Sequence, residues 1–148
     1  MGSSSPGTTP LPARLLRLPA RERRLFAEAL LLVAPIRAAL SLLPFRTVQR
    51  LTTRPPTRIR ADASSDRDVA IAVMRAGRVV SRATCLTQAL AAHRMLVRRG
   101  RPAVLRIGVA RGDAFEAHAW VECDGETVIG EHEPGRFVPL YDWSEPRR

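Results

Sequence analysis

Three residues of the chain have side chains suited to attack on an amide bond: Cys85, His118 and Glu131. A thiolate can add to a carbonyl carbon, an imidazole can take the thiol proton and return it to the leaving amine, and a carboxylate can fix the ring. The types alone are common, so their placement decides whether they form a site. Cys85 opens "CLTQALAAHRMLVRRG", in which Leu86, Ala89, Leu90, His93, Leu96 and Val97 recur on one helical face and Gly100 supplies the stop. Thr84 is a suitable N-cap. Cys85 then lies in the first helical turn, where uncapped N–H groups and the positive end of the helix dipole favour negative charge on sulfur. The same N–H groups, including that of Cys85, are candidate oxyanion donors.

The histidine and the acid belong to strands. "AVLRIGVA" (103–110) has strand character, and "RGDAF" supplies a turn. "FEAHAWVECDGETVIGEH" (115–132) reads as a hairpin closed by Asp124-Gly125, a pair suited to a type I′ turn. With those two residues as the loop, Cys123 opposes Glu126, Val121 opposes Val128 and His118 opposes Glu131. Alternation then puts His118, Trp120, Ile129 and Glu131 on one face, with Ala119, Val121, Cys123 and Val128 on the other. Cβ atoms of opposed residues lie about 4.5–5.5 Å apart, within reach of an imidazole–carboxylate hydrogen bond. A helix-borne cysteine, a strand histidine and a carboxylate on the next strand are the parts of a papain-type site.

Neighbouring polar residues have plainer readings. Asp124 belongs to the turn, roughly 20 Å along the strand from His118. Glu122 is expected to be solvated or paired with an arginine, and His93 to be a core histidine. His132 alternates to the face opposite Glu131, Cys123 packs in the interior, and Trp120 covers the sheet or walls the cleft.

The remainder of the chain sets limits. Its 148 residues, 45% hydrophobic, can bury one sizeable core. Residues 1–13 are polar and rich in Pro, Ser and Thr, and are expected to form a disordered tail without a secretory signal. Residues 14–50 form an N-terminal helical region. Within it, "LFAEALLLVAPIRAALSLL" is apolar enough to suggest a membrane span, but Glu28, Pro35 and Arg37 favour amphipathic helices bent or broken at Pro35. A linker follows at 51–63, and the core occupies 64–148, opening on a Ser65/Asp68 capping box whose helix should end at Gly77. The net charge of +10 could suit nucleic acid, but all 24 basic residues are arginine and they are spread along the chain, without a recognisable binding motif. An arginine-rich nucleic-acid-binding module is therefore the alternative from another class. Two distant cysteines give no disulfide framework or zinc knuckle, which fits a cytoplasmic setting. No metal cluster or phosphate loop is present in the sequence, and no cofactor is expected.

"TCLTQALAAHRMLVRRGRPAVLRIGV" followed by "FEAHAWVECDGETVIGE" resembles the transglutaminase-like peptidases that remove the leader in lasso-peptide biosynthesis, in their short stand-alone form. Weaker similarity through "ERRLFAEALLLV", "LLPFR" and "RFVPL" extends it over roughly residues 14 to 141. The resemblance implies an α+β papain/transglutaminase-like fold, a cysteine-bearing helix on a small antiparallel sheet preceded by helices. It implies Cys85 as nucleophile and His118 as base. The third member in that family is usually aspartate, where this chain offers Glu131. The implied partners are a precursor peptide, a leader-recognition protein of the RiPP recognition element type and a lasso cyclase, with neither nucleic acid nor membrane contact. Acyl transfer to an amine by the same residues is the alternative reaction.

Overall fold

A computed structural model describes residues 18–60, 62–110, 115–133 and 135–144. The tail expected over 1–13 lies outside them. The described chain is α+β, with helices packed on one face of a four-stranded antiparallel sheet.

Helix α1 spans Ala20–Leu42 and continues through Pro35, so of the bend or break its sequence suggests the break does not occur. Leu25, Ala29, Val33 and Ile36 form a buried stripe that spans the proline and holds both halves on the core. Pro35 itself is exposed. The carbonyl it deprives of a partner belongs to Leu31, whose side chain is 76% exposed, so water can replace the missing bond. The helix is long and apolar enough to cross a membrane by length and composition, yet this stripe shares one core with the later helices and strands.

After the short helix α2 (Phe45–Thr52), irregular chain leads to α3 (Asp66–Val79). Ser65 Oγ accepts from the Asp68 N–H at 3.1 Å and Asp68 Oδ2 accepts from the Ser65 N–H at 2.9 Å, completing the expected capping box. Gly77 does not end α3. A Cβ there would stand 2.8 Å from the Gln88 side chain, so the glycine instead permits close approach of the next helix.

That helix, α4 (Cys85–Val97), is central: it packs against α1, α2, α3 and three strands. Thr87 and every residue from Ala89 to Val97 except Arg94 are buried. Just beyond its end, Arg99 is 3% exposed and pairs with Glu28 of α1 at 2.8 Å and with Asp62 at 3.0 Å. Burial would push this guanidinium down, but hydrogen bonding and charge from Glu28 and Asp62 hold it above its ordinary value. The pairing ties the irregular segment and α1 to α4.

The sheet has the order β3-β2-β1-β4, from β1 (Ala103–Ala110), β2 (Ala117–Cys123), β3 (Glu126–Ile129) and β4 (Phe137–Ser144). Asp124 and Gly125 have φ of 50° and 84°, as a type I′ turn requires. The expected register holds only for the first two pairs, Cys123 with Glu126 and Glu122 with Thr127. A bulge then intervenes, and Val121 pairs with Ile129 rather than Val128. The bulge turns Ile129 onto the helical face with Ala119 and Val121, where its burial contributes about 1.5–3 kcal/mol. β4, which the sequence did not mark as a strand, pairs with β1 along the opposite side and carries an irregularity opposite Ile107/Gly108, around Pro139 and Leu140.

His93 is the core histidine expected, 1% exposed, with no hydrogen-bond partner at either ring nitrogen among the described residues and the Ala103 backbone nearby but outside bonding geometry. Burial pushes its pKa down to about 4 from 6.5. The unfolded chain therefore binds a proton that the folded chain refuses between those values. Stability should be fully present above pH 6.5 and fall by about 3 kcal/mol as the pH drops to 4. Urea denaturation across this range should show the slope in the native chain and lose that part of it in His93→Leu; an unchanged slope would remove His93 as its source.

Candidate active site

Thr84 caps α4 as expected: its Oγ1 accepts from the Thr87 N–H at 3.3 Å, and its carbonyl accepts from the Gln88 N–H at 3.1 Å. The N–H groups of Cys85 and Leu86 have no hydrogen-bond partner among the described residues, as the first turn of a helix leaves them, so they are free to donate to an added group. Cys85 is half-buried at the margin of the core. Cys123 is fully buried, and burial pushes its thiol up to about 12, so the second cysteine is a packing residue.

Residues 98–102 turn the chain from the end of α4 into β1, and β2 is antiparallel to β1, with Val109 opposite Ala117. The start of β2 therefore lies at the sheet end farthest from the α4 C-terminus. Thirteen residues of helix cover about 20 Å, which brings the α4 N-terminus toward that same end. This path places Cys85, the first residue of α4, and His118, the second of β2, toward the same end. Their side chains approach from different sides: Cys85 packs with the helical core, whereas His118 alternates with Ala119 and Val121 onto the other face, and no hydrogen bond joins them.

On that outer face His118 belongs to an aromatic cluster. Its ring lies nearly parallel to Phe137 (4.9 Å, 28°) and Trp120 (6.1 Å, 16°), and His132 stands edge-on at 5.6 Å. Trp120 reaches across Gly108, where a Cβ would come within 3.0 Å of its ring and 2.6 Å of the Val138 carbonyl. The indole N–H donates to Glu122 at 2.8 Å, and Arg106 bridges Glu122 at 2.9 Å to Asp142. Trp120 thus covers the sheet, and Glu122 is paired with an arginine.

His118 does not meet Glu131. Its Nε2 lies 2.9 Å from the carbonyl oxygen of Gly130, which can only accept, so Nε2 carries the proton and the neutral ring keeps its lone pair at Nδ1. Glu131 is exposed and makes no hydrogen bond or ion pair among the described residues. The pairing expected from the hairpin fails because β3 has bulged and ends at Ile129, and Gly130, at φ 85°, then breaks the alternation. For the same reason His132, expected on the opposite face, joins the cluster of His118, and its Nδ1 donates to the same Gly130 oxygen at 3.1 Å. Sequence reasoning missed Gly130, His132 and Phe137 as neighbours of His118. A glycine just past a strand was the available signal.

The sequence pattern of the transglutaminase-like superfamily matches residues 29–142, well over half of the chain. The chain belongs to the transglutaminase-like superfamily. No curated protein and no solved structure matches it. Superfamily membership brings cysteine peptidase or acyl-transfer chemistry, and the match takes in α1 from Ala29 as well as the helix and strands that carry Cys85 and His118.

In this transglutaminase-like chain the two thiols should differ sharply. Iodoacetamide at pH 7.5, followed by peptide mapping, should modify Cys85 at least ~100-fold faster than Cys123 in the folded protein. Equal rates would show that the α4 N-terminus does not set Cys85 apart.

Proposed function

We propose that the chain is a cysteine peptidase that cuts the leader from a lasso-peptide precursor, with Cys85 as nucleophile and His118 as base. The observation that carries the reading is the position of Cys85, half-buried in the first turn of α4, together with the hold of the Gly130 carbonyl on His118 Nε2, which makes Nδ1 the nitrogen left to take a proton. Support for the finer substrate comes from the pairing of "CLTQAL" with "HAWVE", which resembles that peptidase family.

The chemistry follows from these groups. His118 Nδ1 takes the thiol proton, and sulfur adds to the scissile carbonyl while the Cys85 and Leu86 N–H groups receive the oxyanion. The C–N bond breaks, and the imidazolium returns its proton to the amine of the core peptide. Water, deprotonated by the same imidazole, then hydrolyses the thioester and releases the leader acid. Proton transfer requires a hydrogen bond between Cys85 and His118 that is not formed among the described residues, and such catalytic bonds commonly tighten only in the substrate complex.

The resemblance to the stand-alone leader peptidases makes a leader-recognition protein the proposed partner. Docking raises the local concentration of the scissile segment. Incubating the chain with a lasso precursor should give a single cut at the leader–core junction, accelerated at least ~10-fold by the recognition protein. Cys85→Ala should lower the rate by at least ~10³ with the fold retained. Adding hydroxylamine separates the two reactions: hydrolysis gives the free leader acid as main product, and predominant hydroxamate would assign acyl transfer instead. Undiminished cleavage by Cys85→Ala would end the proposal.

A further inference from the structure

The strongest unexplained geometry is the double hydrogen bond at the Gly130 carbonyl. Two imidazoles, His118 through Nε2 at 2.9 Å and His132 through Nδ1 at 3.1 Å, point at one main-chain oxygen. The peptide that carries it is held from behind. At φ 85° the backbone of residue 130 favours glycine, and a Cβ there would meet the Ala119 carbonyl at 2.7 Å and Trp120 Cβ at 2.8 Å. Phe137 and Trp120 limit the His118 ring from its sides. The carboxylate next in sequence, Glu131, takes no part.

We propose that the main-chain carbonyl of Gly130, pinned by His132, is the group that orients His118, in the place where a Cys-His-acid site has its carboxylate. This deepens the peptidase reading and rests on it. Gly130 and His132 are positioning residues, because neither is required to touch the scissile bond. A carbonyl can fix the Nε2–H tautomer and ring angle as a carboxylate does, but brings no full counter-charge to the imidazolium. The charge of Glu131 then becomes dispensable, whereas anything that moves the Gly130 oxygen misplaces Nδ1. Misplacement on the ångström scale costs up to about 10²-fold in rate.

The test uses the full chain and two readouts, turnover of 4-nitrophenyl acetate and the nitrogen-attached proton resonance of His118 Nε2 by NMR. Glu131→Gln should keep kcat within about threefold and leave the resonance unshifted. Gly130→Ala should lower kcat at least ~10-fold with little change in KM, and shift or broaden the resonance. Gly125→Ala is the control for strain, since Gly125 has φ 84° and open space around its Cβ; it should change neither kcat nor the resonance. His132→Ala should lower kcat and His132→Asn restore it, because the asparagine amide can donate from nearly the position of Nδ1. A kcat loss in Glu131→Gln matching that of Gly130→Ala, or an unmoved resonance in Gly130→Ala, would overturn the assignment. Wild-type ester turnover by both Cys85→Ala and His118→Ala would instead sink the peptidase reading, while the resonance would still report whether Gly130 holds the ring.

Discussion

The structure depends on the burial of α4. A helix enclosed on nearly every side must be apolar nearly all round, and Ala89, Leu90, Ala91, Ala92, Met95, Leu96 and Val97 meet that requirement. The alanines keep the helix thin enough for α1, α3 and the sheet to close on it together, as Gly77 does where α3 crosses Gln88. Enclosure leaves the first turn half-buried, and that turn holds the cysteine. Packing and reactivity are thereby coupled: the side chains that exclude water from the helix body also fix the direction in which its first N–H groups point.

The sheet divides labour between its faces. Ala119, Val121, Cys123 and Ile129 complete the helical core, while His118, Trp120, His132 and Phe137 form a second cluster on the far side. Glycines make the second cluster possible, Gly108 by giving the indole room and Gly130 by turning the chain against it. Several of the arginines, spread along the sequence, join elements that are far apart in it. Arg106 binds Glu122 and Asp142 on this face, and Arg99 joins α1 to the segment before α3.

Features decided by neighbours in sequence were legible without the structure. Thr84 capping, the Ser65 box, the extent of β1 and the Asp124-Gly125 turn all depend on a few adjacent residues. What depended on distant contacts was not. The two-residue loop fixed the hairpin for two pairs, after which burial of Ile129 outweighed regular pairing, and the error propagated to Glu131 and His132. The break open to Pro35 did not occur for the same reason, because its local cost was offset by a stripe of contacts with other elements. β4 escaped notice because Pro139 and the unbroken run of Phe137, Val138, Leu140 and Tyr141 around it show no strand alternation, and only pairing with β1 reveals the strand.

The irregularity in β4 has a consequence for solubility. β4 is the outer strand beside β1, and it exposes Leu140 and Tyr141, a combination that invites a neighbouring molecule to extend the sheet. Pro139 has no N–H to offer such a visitor, and the shifted register beside it spoils the even spacing that a continuous ladder needs. The edge is consequently a poor template for runaway polymerisation, even though its side chains are apolar enough to attract one.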